Sequence, residues 1–494
     1  MSIITLHQLG VASPMPLFQD LNLTIGRANR IGIIASNGGG KSILLRCIAG
    51  TLEPSSGSIT MARGAHIGFV AQEVPTEWMD TSLFDVIRSG LPKADQEDNA
   101  WRVHVLLDAF ETPQDYYTKP LSALSGGWQR LALIARSWIS DPDIFLLDEP
   151  TNHLDAEKID VLEGWIKNNA GQVPMVIVSH DRCFLDACTT RTLFLRPNES
   201  KIYAHPFSKA RELLADDDAF QAAKLAQDKK EADRLRGKAN ELKNVGVNSG
   251  SDLALKKAKY LVQRAINIES TFKEQHKEKK AQIRLSSSDT HAKVLVSIKD
   301  EIVRAPDNRA LFKIDKLTVH QGDRIVLLGE NGSGKSVFIR HLLDACGNPE
   351  SAPEVKASPT IVLGYADQHM SQLPDNKSPF DYIMDTFSLG DQRTWTLLAG
   401  AGFPVDQQNR AIKHFSSGQK ARLGMLSLRL ASPNFYLLDE PTNHVDIAGQ
   451  EKLEEEILAQ NATCILVSHD RRFVENVGTR FLQIKDKKLI EEGE

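Results

Sequence analysis

Four blocks of this sequence occur twice, in the same order. IIASNGGGKS at 33–42 returns as LLGENGSGKS at 327–336, and LSGGWQRLAL at 124–133 returns as FSSGQKARLG at 415–424. FLLDEPTNHLD at 145–155 returns as YLLDEPTNHVD at 436–446, and VIVSHDRCF at 176–184 returns as ILVSHDRRF at 465–473. The offsets are 294, 291, 291 and 289 residues. A near-constant offset over four blocks means that one unit of about 200 residues is duplicated, far longer than any solenoid repeat.

Between the copies the sequence changes character. Residues 208–280 hold 17 Lys and Arg against 12 Asp and Glu. Ala, Lys, Glu, Gln and Leu dominate there, all good helix formers. VGVNSGS at 245–251 reads as a turn. Ala258, Leu261, Ala265, Ile268 and Phe272 fall at helical spacing behind it, and Leu214, Leu225, Leu235 and Leu242 form a weaker stripe in front. The segment therefore reads as two antiparallel helices, 208–244 and 252–280. The bland alternative is a flexible charged tether. Lys238, Lys243, Lys256, Lys257 and Lys259 would ring the tip.

Composition narrows the setting. The net charge of −5 offers no global field for nucleic acid, so any such contact must be local. Five scattered cysteines with no CxxC pair argue against a disulfide framework or a zinc site, and suit reduced thiols in the cytosol. MSIITLHQLG lacks the basic and apolar regions of a signal peptide. No apolar run approaches the roughly 20 residues needed to span a bilayer.

The duplicated blocks carry phosphate chemistry. Gly329 to Ser336 fits G-x-x-x-x-G-K-[ST], between a strand-like RIVLL and an apolar helix. Asn331, Gly332 and Gly334 let backbone N–H groups converge on phosphate oxygens, and the helix N-terminus adds its dipole. Lys335 supplies charge to the β- and γ-phosphates, and Ser336 a hydroxyl to Mg²⁺. In the first copy Asn37, Gly38, Gly40, Lys41 and Ser42 take these places, but Ala35 stands where the first glycine is expected. A methyl there would crowd the loop if the backbone needs positive φ.

FLLD and YLLD read as strands buried on both faces, which puts Asp148 and Asp439 at strand ends where α/β sheets bind ligands. An acid there can hold Mg²⁺. Glu149 and Glu440 follow directly and can activate water. A lone Asp-Glu is more often a helix start, a reading that two copies inside LLDEPTNH disfavour. His180 and His469 end strand-like runs at 31 and 29 residues beyond the glutamates, and read as γ-phosphate contacts rather than structural histidines. Gln72 and Gln368 also end strand-like runs and could ligate Mg²⁺ or orient water.

Together these blocks resemble the ATP-binding cassette (ABC) ATPases. LSGGW and FSSGQ match the family signature, LLDEP its Walker B block and VSHD its switch histidine. Two cassettes in one chain, DEPTNHLD and DEPTNHVD, and Trp128 after LSGG are similar to the ABC-F group. The resemblance implies an α/β fold: two P-loop NTPase domains in tandem, 1–207 and 283–494, joined by a helical-hairpin linker, 208–282. It implies an ATPase using ATP and Mg²⁺ whose cassettes close head to tail. Ser416 and Gly418 would then cap the site of Lys41, Ser42, Gln72, Asp148, Glu149 and His180. Ser125 and Gly127 would cap the site of Lys335, Ser336, Gln368, Asp439, Glu440 and His469. It further implies a cytoplasmic monomer that acts on the ribosome, its linker reaching toward rRNA and the P-site tRNA, in translation or antibiotic resistance.

The sequence also departs from the family pattern. No aromatic suited to stack on adenine is evident in GVASPMP at 10–16 or RAPDNRA at 304–310. The 52 residues from Gln72 to Leu124, against 47 from Gln368 to Phe415, leave no room for an added arm. The 25 residues after His469 imply no coiled-coil tail of the DNA-associated members, so stable DNA binding is not expected. The competing reading is the ATPase subunit of a transporter with separate membrane subunits. Seventy-three residues of patterned helix exceed what a tether needs, and the linker's +5 on an acidic body favours an RNA-facing probe.

Overall fold

The computed structural model describes residues 2–13, 15–169, 171–270, 285–286, 292–348, 352–367, 370–443 and 445–491. Each half is a mixed α/β cassette built on a central parallel sheet. In the first half the strand order is Ile67–Val70, Ile144–Asp148, Met175–Val178, Arg30–Ile34, Arg191–Phe194 and Lys201–Tyr203. The first five run parallel, and the last is antiparallel. The second half repeats this order: Leu363–Ala366, Phe435–Asp439, Thr463–Val467, Arg324–Leu328, Arg480–Lys485 and Lys488–Glu491. Its antiparallel hairpin, Val294–Arg304 with Ala310–His320, joins the same sheet through a bridge at Lys313 and Lys488. In the first half the corresponding hairpin, Ser2–Ser13 with Met15–Gly26, forms a separate sheet with Ser56–Met61.

Apolar runs become central strands because helices cover both faces of such a sheet. Ile144, Phe145, Leu146 and Leu147 are fully buried, as are Phe435 and Leu437 with Tyr436 and Leu438 nearly so. Each run ends in an acid at the sheet's C-terminal edge, where the phosphate loops also lie.

Between the cassettes stands a helical hairpin. Its first helix, Phe207–Ser249, has 43 residues, about 64 Å at 1.5 Å per residue. Its second is Asp252–Glu269. The seam is made of small residues: Ala232, Ala239, Ala258 and Ala265 are buried, with Leu235, Leu261 and Ile268 beside them. Arg236 and Glu269, 2.6 Å apart, and Arg264 and Glu231, 3.3 Å apart, tie the outer faces.

The expected turn over 245–251 is narrower in the structure. The first helix runs on through Val245, Val247 and Ser249, and the chain reverses at Gly250, with φ +67. Valine and glycine lower helix propensity by no more than ~1 kcal/mol each, so neither stops a long helix. Gly250 adopts the left-handed conformation, and Ser251 caps the next helix by accepting the Ala254 N–H. Of the expected apolar stripe, Ala258, Leu261, Ala265 and Ile268 meet the first helix; Phe272 lies outside the described residues. Leu214 instead packs into the first cassette's core.

Candidate nucleotide-binding sites

Each phosphate loop connects a buried strand to a helix. The helix Lys41–Ile48 begins at Gly40, with φ +91, and Lys335–Gly347 begins at Gly334, with φ +105. Gly38 and Gly332 also have positive φ, at +77 and +85. These conformations turn backbone N–H groups inward, and glycine adopts them at little cost. A Cβ on Gly334 would stand 2.9 Å from Leu311 Cδ1, so a side chain there would also have to displace that methyl group. The feared crowding at Ala35 does not arise. Gly329 has φ +147, whereas Ala35 has an ordinary backbone without positive φ.

Lys41 Nζ lies 3.0 Å from the Ala35 carbonyl and 3.1 Å from His180 Nε2. Lys335 Nζ donates to the carbonyls of Gly329, at 2.5 Å, and Glu330, at 3.0 Å. Burial holds both lysines below the usual ammonium range, opposed by the charges of Glu149 and Glu440 respectively. A phosphate would restore the anionic surroundings that favour the charged form.

Asp148 and Asp439 hydrogen-bond Ser42 and Ser336, and burial raises the pKa of both acids. Asp148 Oδ1 is buried with no hydrogen-bond partner. Behind this acid lies Arg130, 2% exposed, donating to the carbonyls of Ala71, Gln72 and Asp148. It ties the Gln72 segment to the end of the acid-bearing strand. The second copy has Ala421 at the corresponding place.

Glu149 and Glu440 both adopt left-handed backbone, φ +52 and +53, which aims their side chains into the cleft at a conformational cost. Glu149 accepts the His180 N–H at 3.1 Å and lies 3.3 Å from His180 Nε2. Glu440 repeats this with His469, at 3.3 and 3.2 Å. Burial pushes the Glu149 carboxyl up to about 7, with Lys41 opposing.

The two halves close on one cleft of about 840 Å³. Ser416 and Gly418 line it with Asn37, Gly38, Gly40, Lys41, Ser42, Gln72, Glu149 and His180. Ser125 lines it with Asn331, Gly332, Gly334, Lys335, Ser336, Asp439, Glu440 and His469. Three expected members differ. Gly127 faces His153 and Lys158, leaving Gly126 on the cleft. Asp148 sits one layer behind Ser42 and does not line the cleft. Gln368 lies outside the described residues. From the segment before the second phosphate loop, Ala305, Arg309 and Leu311 line the cleft, and no Phe, Tyr or Trp lines it among the described residues.

Sequence reasoning missed the residues that join the halves. Asp446 Oδ2 accepts the Asn37 N–H at 3.0 Å, and the His153 carbonyl accepts from Asn331 Nδ2 at 2.9 Å. Their signal was the doubled N-H-[LV]-D after LLDEPT, read only as a family label.

Comparison with known proteins agrees with this geometry. The family model described as ABC transporter matches residues 18–152 and 312–443. The chain belongs to that family. Its two cassettes are ATPase modules that bind and hydrolyse ATP. The chain is 28% identical to "ABC transporter F family member 5" of Arabidopsis thaliana, over 95% of this chain and 73% of the relative. It is also 28% identical to "Ribosome protection protein VmlR" of Bacillus subtilis (strain 168), over 95% and 84%. The solved structure "RNase-L Inhibitor" shares the fold, with a TM-score of 0.63 over 99% of this chain and 90% of that one, at 16% identity. Among the described residues no helix is long and apolar enough to cross a membrane.

Proposed function

We propose that this chain is a cytoplasmic, monomeric ABC-F ATPase that acts on the ribosome, as a translation factor or in drug protection. The observation that carries the reading is the hairpin between the cassettes, whose exposed tip bears Lys238, Lys243, Lys256, Lys257 and Lys259. A small basic element on an acidic body suits rRNA and P-site tRNA, where neutralised phosphates release counterions. The hairpin's base is also fastened to the second cassette. Arg472 donates to Ser208 at 2.6 Å, and Arg211 pairs with Glu451 at 3.2 Å. Closure of the cassettes can thus move the hairpin. The relative whose name is ribosome protection protein supports the same reading. We divide the chain at 1–207, 208–282 and 283–494 on this basis.

In the proposed roles, Lys41 and Lys335 bind the β- and γ-phosphates, with the loop amides of Asn37, Gly38, Gly40, Asn331, Gly332 and Gly334 around them. Glu149 and Glu440 take a proton from the attacking water, while His180 and His469 hold the γ-phosphate. Ser125 and Ser416 approach the γ-phosphate from the facing cassette, each at a helix N-terminus. Mg²⁺ fits the oxygen donors Ser42 with Asp148 and Ser336 with Asp439, helped by Gln72 and Gln368. Asp439 lines the cleft beside Ser336, while the buried Oδ1 of Asp148, which has no hydrogen-bond partner, lies behind Ser42. The ion would neutralise phosphate charge. Purified ribosomes added to the wild-type protein should change its ATPase rate, whereas naked DNA and liposomes should not. A rate indifferent to ribosomes would refute the proposal.

A further inference from the structure

At the edge of the cleft, a buried cluster of charge joins the two histidine-bearing turns. Arg182 lies two residues beyond His180 and is 3% exposed. It reaches across to the second cassette, where its guanidinium pairs with Glu454 and lies 3.3 Å from Asp470 Oδ2. Both acceptors are buried, and Asn476 holds the other Glu454 oxygen at 2.9 Å. Asp470 is the residue after His469. Its Oδ1 caps the next helix by accepting the Phe473 N–H at 3.0 Å. One carboxylate therefore carries the helix cap on one oxygen and the partner cassette's arginine on the other.

The reverse link shares the arginine–glutamate pair and differs at the aspartate. Arg471, the counterpart of Arg182, pairs with Asp160, at 2.7 Å, and with Glu163. Glu163 stands 14 residues beyond Glu149, as Glu454 does beyond Glu440, so this pair is the repeat equivalent of Arg182 with Glu454. Asp181 caps its own helix through the Phe184 N–H at 2.9 Å, and Arg471 acts on it by charge without coming within 4 Å.

We propose that Arg182 is a positioning residue for His469, so that the second ATP site depends on the first cassette through a direct arginine–aspartate contact that the other direction lacks. When the cassettes close, Arg182 fixes Asp470 and with it the turn that presents His469 beside Glu440. Both contacts are made by one terminal nitrogen, Nη2, so the reach and direction of the planar guanidinium set how the two acids are held. The proposal rests on the roles given above to Glu149, Glu440 and His469.

Those roles supply the test. Glu149→Gln leaves only the second site active, and Glu440→Gln only the first. Arg182→Met should lower kcat by about tenfold or more in the Glu149→Gln background, the scale of a lost charge-assisted contact in a buried pair, and far less in the Glu440→Gln background. Arg182→Lys keeps the charge but not the reach and direction of Nη2, and should give an intermediate loss with the same site preference. Arg471→Met removes a comparable interface pair and should affect both backgrounds alike. A purely structural role for Arg182 would lower both backgrounds equally, and that result, or no loss in either, overturns the proposal. If the two glutamine backgrounds by themselves leave hydrolysis at the wild-type rate, the assignment of the glutamates fails instead. Melting curves and size-exclusion profiles identify any variant that does not fold, and Arg182→Lys then decides the matter.

Discussion

A Cβ on Gly39 would stand 2.9 Å from the Ala35 Cβ, and a Cβ on Gly329 would stand 3.0 Å from Ser333 Oγ. Residues 35 and 39 correspond to 329 and 333, so each phosphate loop carries one side chain at this contact and glycine opposite it. The departure at Ala35 is therefore half of an exchange and not a damaged motif. Gly39→Ser alone should weaken nucleotide binding at the first site by roughly 5- to 150-fold, matching the ~1–3 kcal/mol that overpacking costs. The Ser36 carbonyl is also 2.9 Å from that Cβ, so the loop must shift as well. Ala35→Gly together with Gly39→Ser recreates the second loop's pair and should recover most of the binding. Titration of a fluorescent ATP analogue against both variants checks this; equal losses would contradict it.

Replacing both Glu149 and Glu440 with glutamine should preserve ATP binding while lowering hydrolysis by roughly 10²- to 10⁴-fold, the usual contribution of a general base. Phosphate release, measured beside filter retention of labelled ATP, separates the two effects. Turnover within about twofold of wild type would remove both residues from the role.

The two sites should hydrolyse at unequal rates. Ser416, which faces the Lys41 site, is engaged in a capping box with Gln419, whereas Ser125, which faces the Lys335 site, makes no cap hydrogen bond. A hydroxyl already committed to its own helix is less available to a γ-phosphate. Glu149→Gln, which spares the Lys335 site, should therefore retain more activity than Glu440→Gln. Equal residual rates would count against this asymmetry.

Changing Lys238, Lys243, Lys256, Lys257 and Lys259 to glutamine should weaken ribosome binding and flatten its salt dependence, because fewer counterions are released. All five side chains are exposed, and none lines the cleft. ATPase activity without ribosomes should stay within about twofold of wild type. Cosedimentation across a salt series reads the first effect and phosphate release the second. Unaltered binding at every salt concentration would leave the hairpin as a spacer.

The fold and the cleft were legible where chemistry forces a residue type. Loop glycines, strand-end acids and the Glu–His pairs each need one side chain at one backbone position, so they survive duplication as readable blocks. The hairpin's existence was readable from composition and its stripe, but its turn was not. Helix propensity differences across VGVNS are small, and the reversal was decided by the conformation of Gly250 alone. The contacts of Arg182 and Arg471 with the other cassette join residues 272 and 308 positions apart, and a sequence gives no sign of such pairing. Arg130 was hidden for a related reason. It sits in a signature helix at a place where the second copy has alanine, so the repeat itself drew attention away from it.

In the proposed cycle, two ATP-closed cassettes drive a basic hairpin into the ribosome. Sucrose-gradient sedimentation of the Glu149→Gln, Glu440→Gln variant in lysate, with and without ATP, tests it most directly. The variant should move into the ribosomal fractions with ATP and stay at the top of the gradient without it. Migration with membranes or DNA, or absence from the ribosomal fractions in the presence of ATP, would contradict the account.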